Sequence, residues 1–178
     1  MGPRLRKAVF SVHLTVSVGW IGAVAGYMAL DVAAATSRDD QVLRAVYLGM
    51  GLIAGNVIVP LAVASLVTGV VVSLGTKWGL FRHYWVLISF LLTIVATVVL
   101  LSETRTINFF ADIAADPATS GDQLRALGTT LVHSVGGTVL LLVILVMNVY
   151  KPQGMTRYGW RKQQEQSPIL SQPSRTSR

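Results

Sequence analysis

The sequence contains no cysteine, which removes disulfides, thiolate metal sites, cysteine nucleophiles and iron–sulfur clusters from consideration. Charge is also scarce. Only 13% of the 178 residues are charged while 52% are hydrophobic, and the mean hydropathy is +0.58. Those proportions exclude an ordinary soluble globule and a charged disordered chain alike. The chain also lacks a GxxxxGK[ST] phosphate loop, an HExxH zinc helix and a GxSxG nucleophile elbow, which argues against soluble-type hydrolysis. It has neither a ring of intramembrane carboxylates nor a long basic helix, so a voltage sensor or cation pump is unsupported.

What the chain does have is long apolar runs, at about 8–32, 45–74, 84–101 and 126–150. Each is near or above the ~20 residues needed to cross hydrocarbon. They are continuously apolar rather than alternating, and a barrel would need at least ~8 strands. The expected fold is therefore all-α, a four-helix integral membrane bundle forming one domain over residues 1–150, with a basic polar tail over 151–178 that is disordered unless a partner orders it.

Cationic residues set the orientation, because cytoplasmic flanks collect them. Arg4, Arg6 and Lys7 precede the first run, Lys77 and Arg82 separate the second and third, and Lys151, Arg157, Arg161, Lys162, Arg175 and Arg178 follow the fourth. The other side holds Arg38, Arg44, Arg105 and Arg125 with every acid except Glu165. Both termini are thus expected in the cytoplasm of a plasma-membrane protein. The high pI of 10.3 reflects this sidedness and attraction to anionic lipid rather than nucleic-acid binding. The first 35 residues resemble a signal peptide, but their apolar stretch far exceeds the ~7–15 residues of a signal core, so it reads as a retained span.

Between the spans, Trp78, Phe81, Tyr84 and Trp85 interleave with Lys77, Arg82 and His83, the pattern of a turn at headgroup depth. The outer loop from Ser102 to Arg125 carries Ile107, Phe109, Phe110 and Ile113, enough for a short amphipathic helix. Gly22 with Gly26, and Gly51 with Gly55, are small-xxx-small pairs that predict close helix packing. Gly19, Gly22 and Gly26 share one side of the first span, and His13, Ser17, Trp20, Val24 and Asp31 share the other. Asp31 reads as a solvated acid at the span's outer end, and Ser89, Thr93 and Thr97 as positions for hydrogen bonds between helices.

Polar groups inside spans are costly and so point to function. His13 and His133 lie inside the first and fourth runs, displaced toward opposite faces by more than about 10 Å in depth, too far to clamp one haem. Met50 lies at the depth of His133, and Met147 and His83 near that of His13, so His and Met or His and His pairs are candidate axial ligands for haem b. The alternative is that each His is neutral and hydrogen-bonded within the bundle, with His83 an interfacial side chain. Pro60 frees the carbonyl of Asn56, giving a polar kink that either lines a small-molecule site or is a simple bend.

On two stretches, HLTVSVGWIGAVAGYMALD (13–31) and PLAVASLVTGVVVSLGTKWGLFRHYWVLISF (60–90), the chain resembles an uncharacterised actinobacterial family of four-span membrane proteins. It is more distantly similar to b561-type and superoxide-oxidase-type membrane cytochromes and to CopD-like proteins, which have a His early in span one and another in span four but more histidines than the three here. The resemblance implies a membrane bundle that binds haem or another redox or lipophilic ligand and assists electron transfer. A non-enzymatic accessory subunit, docked on membrane partners through its glycine faces and basic tail, is the alternative expectation.

Overall fold

The computed structural model describes residues 2–75 and 79–166. Its elements are α1 (Pro3–Thr36), α2 (Asp40–Ile53), a π-helical segment (Ala54–Ile58), α3 (Val59–Gly75), α4 (Tyr84–Ala115), α5 (Gly121–Ala126), α6 (Leu131–Tyr150) and α7 (Arg157–Gln166). Continuously apolar sequence makes the long helices, and punctuation sets their ends. Pro3 opens α1, where its missing N–H costs nothing. Asp39 caps α2 by accepting from the N–H groups of Gln41 (2.8 Å) and Val42 (3.3 Å). Ser120 and Gln123 form a reciprocal capping box at α5.

Four helical spans are long and apolar enough to cross a membrane: α1, α2 through α3 as one rod, α4 and α6. They form an antiparallel ring in which α1 and α4 are diagonal, each packed against the α2–α3 rod on one side and α6 on the other. One end of the bundle, the basic end, gathers the start of α1, the α3–α4 turn and the end of α6. The other, the acid end, carries the α1–α2 and α4–α6 connections. The bundle is apolar outside as well as inside: Val18, Leu52, Val67, Leu91, Val98 and Val139 are among many large hydrophobic side chains exposed on its flanks. Such a surface belongs in lipid.

Several boundaries differ from the expected ones. α4 does not stop near Leu101 but continues to Ala115, absorbing the residues expected to make a separate outer-loop helix. Ile107 and Phe110 pack into the core, and Tyr47 meets Phe110 edge-on at 5.7 Å. The fourth span begins at Leu131 rather than Ala126, because the short α5 and a left-handed Gly128 intervene. At 1.5 Å per residue, α1 and α4 run about 50 Å against a hydrocarbon core of about 30 Å, so the acid end projects beyond the lipid as a helical collar. Arg44 ties that collar together, donating to the carbonyls of Ala114 (2.6 Å), Asp116 (2.7 Å) and Thr119 (2.8 Å) at the end of α4. Arg125 pairs there with Asp122 (2.8 Å) and Asp40.

Residues 151–178 were expected to be disordered without a partner. Up to Gln166 the segment is instead organised. Lys151 takes the left-handed conformation, the Tyr84 N–H donates to the Gly154 carbonyl (3.3 Å), and the Thr156 N–H donates to the Arg82 carbonyl (3.0 Å). The chain thus folds back as a strap on the α3–α4 turn and starts α7 there. A Cβ at Gly159 would stand 2.5 Å from the Arg82 carbonyl oxygen, so only glycine permits this approach. Thr76, Lys77, Trp78 and residues 167–178 lie outside the described residues.

Candidate functional site

Among the described residues, two cavities stand out in the bundle. The larger, about 730 Å³, lies at the basic end between α1, α3, α4 and α6. The stripe of α1 read from the sequence supplies one wall, because residues spaced four and three apart stack along a helix face. His13 Nδ1 is 3.0 Å from Thr68 Oγ1, and Ser17 Oγ is 2.8 Å from Ser65 Oγ. The Thr68 hydroxyl donates to the Ala64 carbonyl (2.6 Å), so it is an acceptor toward His13. An imidazole proton on Nδ1 completes that contact. The ring fits because residue 69 is glycine: a Cβ there would be 3.2 Å from His13 Cε1. Two further lining residues, Trp20 and Ser89, have buried polar atoms, Nε1 and Oγ, with no hydrogen-bond partner among the described residues. Arg6, Lys7 and Lys151 border the cavity where α1 begins and α6 ends.

The smaller cavity, about 290 Å³, lies toward the acid end. Its walls are apolar except for Glu103, His133, Ser134, Thr130 and the aromatic heads of Trp20 and Tyr27. Behind it sits Asp31, with 0% of its surface exposed. The expectation of a solvated terminal acid is therefore corrected. One Asp31 oxygen accepts the Thr130 N–H (2.9 Å) and the other the Thr130 hydroxyl (2.9 Å). Since that hydroxyl is donated, Tyr27 Oη must be the donor in its 2.8 Å contact with Thr130 Oγ1. The carboxylate thus pins α1 to the start of α6, where the helix dipole favours negative charge. Tyr47 adds a neighbouring tie through its hydroxyl to the Gly128 carbonyl (2.8 Å).

The candidate ligands are not brought together. His13 lines the larger cavity and His133 the smaller. Met50 is packed in the core among Leu43, Tyr47 and Ala54, and Met147 packs against Leu80, Trp85 and Val86. Neither methionine lines either cavity. His133 Nε2 faces Glu103 at 3.5 Å instead. His83 sits in the α3–α4 turn, its backbone bridged to Met155. Among the described residues no three His, Asp or Glu side chains gather to hold a metal ion.

The polar kink is a bend. The helix widens to π geometry over Ala54–Ile58, the Val59 N–H reaching back to the Ala54 carbonyl, which accommodates Pro60. Asn56 faces outward and spends its amide on the Leu52 carbonyl (3.1 Å). The glycine pairs also divide. Gly51 packs as expected, since a Cβ there would be 2.8 Å from Ala111, but Gly22, Gly26 and Gly55 are exposed with open space beside them. Thr93 and Thr97 bond to carbonyls of their own helix rather than to a neighbour.

Sequence reasoning missed Thr68, Ser65, Gly69, Thr130, Tyr27 and Glu103. Only Tyr27 carried a signal: it lies one helical turn before Asp31, on the same face of α1. No family model, curated protein or solved structure matches the chain.

Proposed function

We propose that the protein is a plasma-membrane bundle that binds a lipophilic ligand bearing an acidic headgroup in its basic-end cavity, that end facing the cytoplasm. The observation that carries this reading is the construction of the cavity. Its volume of about 730 Å³ is within the usual range for ligand sites, roughly 300–1,000 Å³. Its lining is mainly apolar, with His13, Ser17 and Ser65 on one side and Ser89, Thr93 and Asn148 on α4 and α6, and its edge holds Arg6, Lys7 and Lys151. An acidic amphiphile matches that order, with its anion at the basic edge and its chain among Leu14, Phe90 and Leu145.

Haem b fits this cavity poorly, because His13 is its one haem-ligand side chain and no Met or second His lines it. A redox role would therefore fall to an organic amphiphile. The outward-facing Gly22 and Gly26 support a second reading, an accessory subunit whose α1 packs against another membrane protein.

Titration of the detergent-solubilised protein with a fluorescent polyene fatty acid tests the first reading. Saturable binding, weakened at least about tenfold when Arg6 and Lys7 are both replaced by Gln, is expected. Non-saturable partitioning, or binding indifferent to that change, refutes it. A Soret band in the purified protein would restore haem. Recovery of a defined partner, lost on Gly22→Leu, would favour the subunit reading.

A further inference from the structure

We propose that the acid-end cavity is a second binding site, separate from the first, which takes a small lipophilic cation such as an alkyl- or arylammonium. The cavity holds about 290 Å³ and opens beside Glu103, whose side chain retains only 21% of its exposure. Among the described residues the cation-type neighbour recorded for this carboxylate is His133 Nε2, at 3.5 Å. That distance is too long for a strong hydrogen bond, and the imidazole, with 54% of its side chain exposed, can swing aside. Among the described residues this largely desolvated carboxylate, facing an apolar hollow, has no close positive partner.

The rest of the wall suits the same guest. Trp20 and Tyr27 line the cavity and present aromatic surface, which attracts cations through the ring quadrupole. The Tyr27 hydroxyl donates to Thr130, whose hydroxyl in turn donates to Asp31, so the buried Asp31 carboxylate adds negative potential behind the wall. Val99, Leu100, Ile107 and Leu140 supply contact for apolar substituents. Other guests fit less well. An anion would face Glu103 directly, and a bare metal ion would find one carboxylate and one imidazole but no third ligand. The site stands apart from the acidic-amphiphile cavity because Trp20 and Leu141 line both and so form the wall between them.

The test is calorimetric titration of the purified protein in detergent with benzyltrimethylammonium, and with benzoate as the anionic control. Saturable binding of the cation and none of benzoate is expected. Glu103→Gln should weaken the cation at least about tenfold, as loss of a partly buried charge partner does. Glu103→Asp, which keeps the charge, should retain most of the affinity and so separates loss of charge from loss of fold. His133→Gln should leave binding equal or tighter, since it frees the carboxylate. Replacing Arg6 and Lys7 should change nothing, which keeps this site distinct from the first. Equal affinity in wild type and Glu103→Gln, no saturable binding, or a loss on His133→Gln would overturn the proposal.

Discussion

Replacing Asp31 tests the acid-end packing most directly. Its two oxygens accept from the Thr130 N–H and hydroxyl, each at 2.9 Å, at a side chain with no exposed surface. Hydrogen bonds to a charged group contribute about 1.5–3 kcal/mol each in soluble proteins. Bonds between membrane helices average nearer ~0.6 kcal/mol, because the unfolded chain in lipid finds other partners. Asp31 lies about 40 Å along α1 from Pro3, toward the collar, where water competes in the unfolded state. Asp31→Ala should therefore cost about 3 kcal/mol, which lowers Tm by roughly 6–12 °C for a chain of this size. Asp31→Asn should cost about 1–2 kcal/mol, since the amide oxygen still serves the Thr130 N–H while its NH₂ forces the Thr130 hydroxyl to accept. The Thr130 oxygen keeps a second lone pair for the Tyr27 proton, but that contact is no longer polarised by a charge behind it. Tyr27→Phe should thus lower stability by about 1 kcal/mol in the wild type and by less in the Asp31→Asn background. Thermal unfolding in mild detergent, followed by circular dichroism, reads the wild type and the four variants. The reasoning fails if Asp31→Ala moves Tm by less than about 2 °C, or if Tyr27→Phe costs the same in both backgrounds.

Four other outcomes follow from the geometry. Arg44→Ala removes the donor from three carbonyls at the end of α4 and should cost about 1–3 kcal/mol, seen as a lowered Tm and faster hydrogen exchange in the collar. Gly69→Ala places a methyl 3.2 Å from His13 Cε1, so it should weaken polyene fatty acid binding severalfold while leaving helix content unchanged by circular dichroism. Gly159→Ala cannot coexist with the Arg82 carbonyl at 2.5 Å, so limited proteolysis between Lys151 and Trp160 should accelerate without loss of bundle stability. Because the chain has no cysteine, single-cysteine labelling starts from a silent background. In intact cells Ser37→Cys should react with an impermeant maleimide, whereas Gln153→Cys should react only after the membrane is opened.

The four-helix architecture was legible because hydropathy is a property of long segments, and averaging over some twenty residues overrides local exceptions. The α1 stripe of His13, Ser17, Trp20, Val24 and Asp31 was legible for a similar reason, since helical period alone places those residues together, and Trp20, Val24 and Asp31 are indeed buried. What lay opposite the stripe was not. Ser65, Thr68 and Gly69 read as ordinary small residues of an apolar run until tertiary packing sets them beside Ser17 and His13. Asp31 was misjudged because its place near a span end suggests water, while its partner Thr130 is 99 residues distant in sequence. Of the glycine pairs only Gly51 meets a neighbour, for the same reason: spacing identifies a face, not what the face meets, so Gly51 touches Ala111 while Gly22, Gly26 and Gly55 look outward. The end of α4 was missed because Glu103 and Arg105 halt an apolar run without halting a helix.

Trp20 keeps 3% of its surface exposed and lines both cavities, its indole nitrogen without a partner among the described residues. A rotamer change of that ring that enlarged one chamber would take volume from the other, so guests in both, bound as proposed, would be coupled through its position. Linkage is symmetrical: whatever factor the first guest imposes on the affinity of the second, the second imposes on the first. One indole is thus the partition at which the two chambers meet.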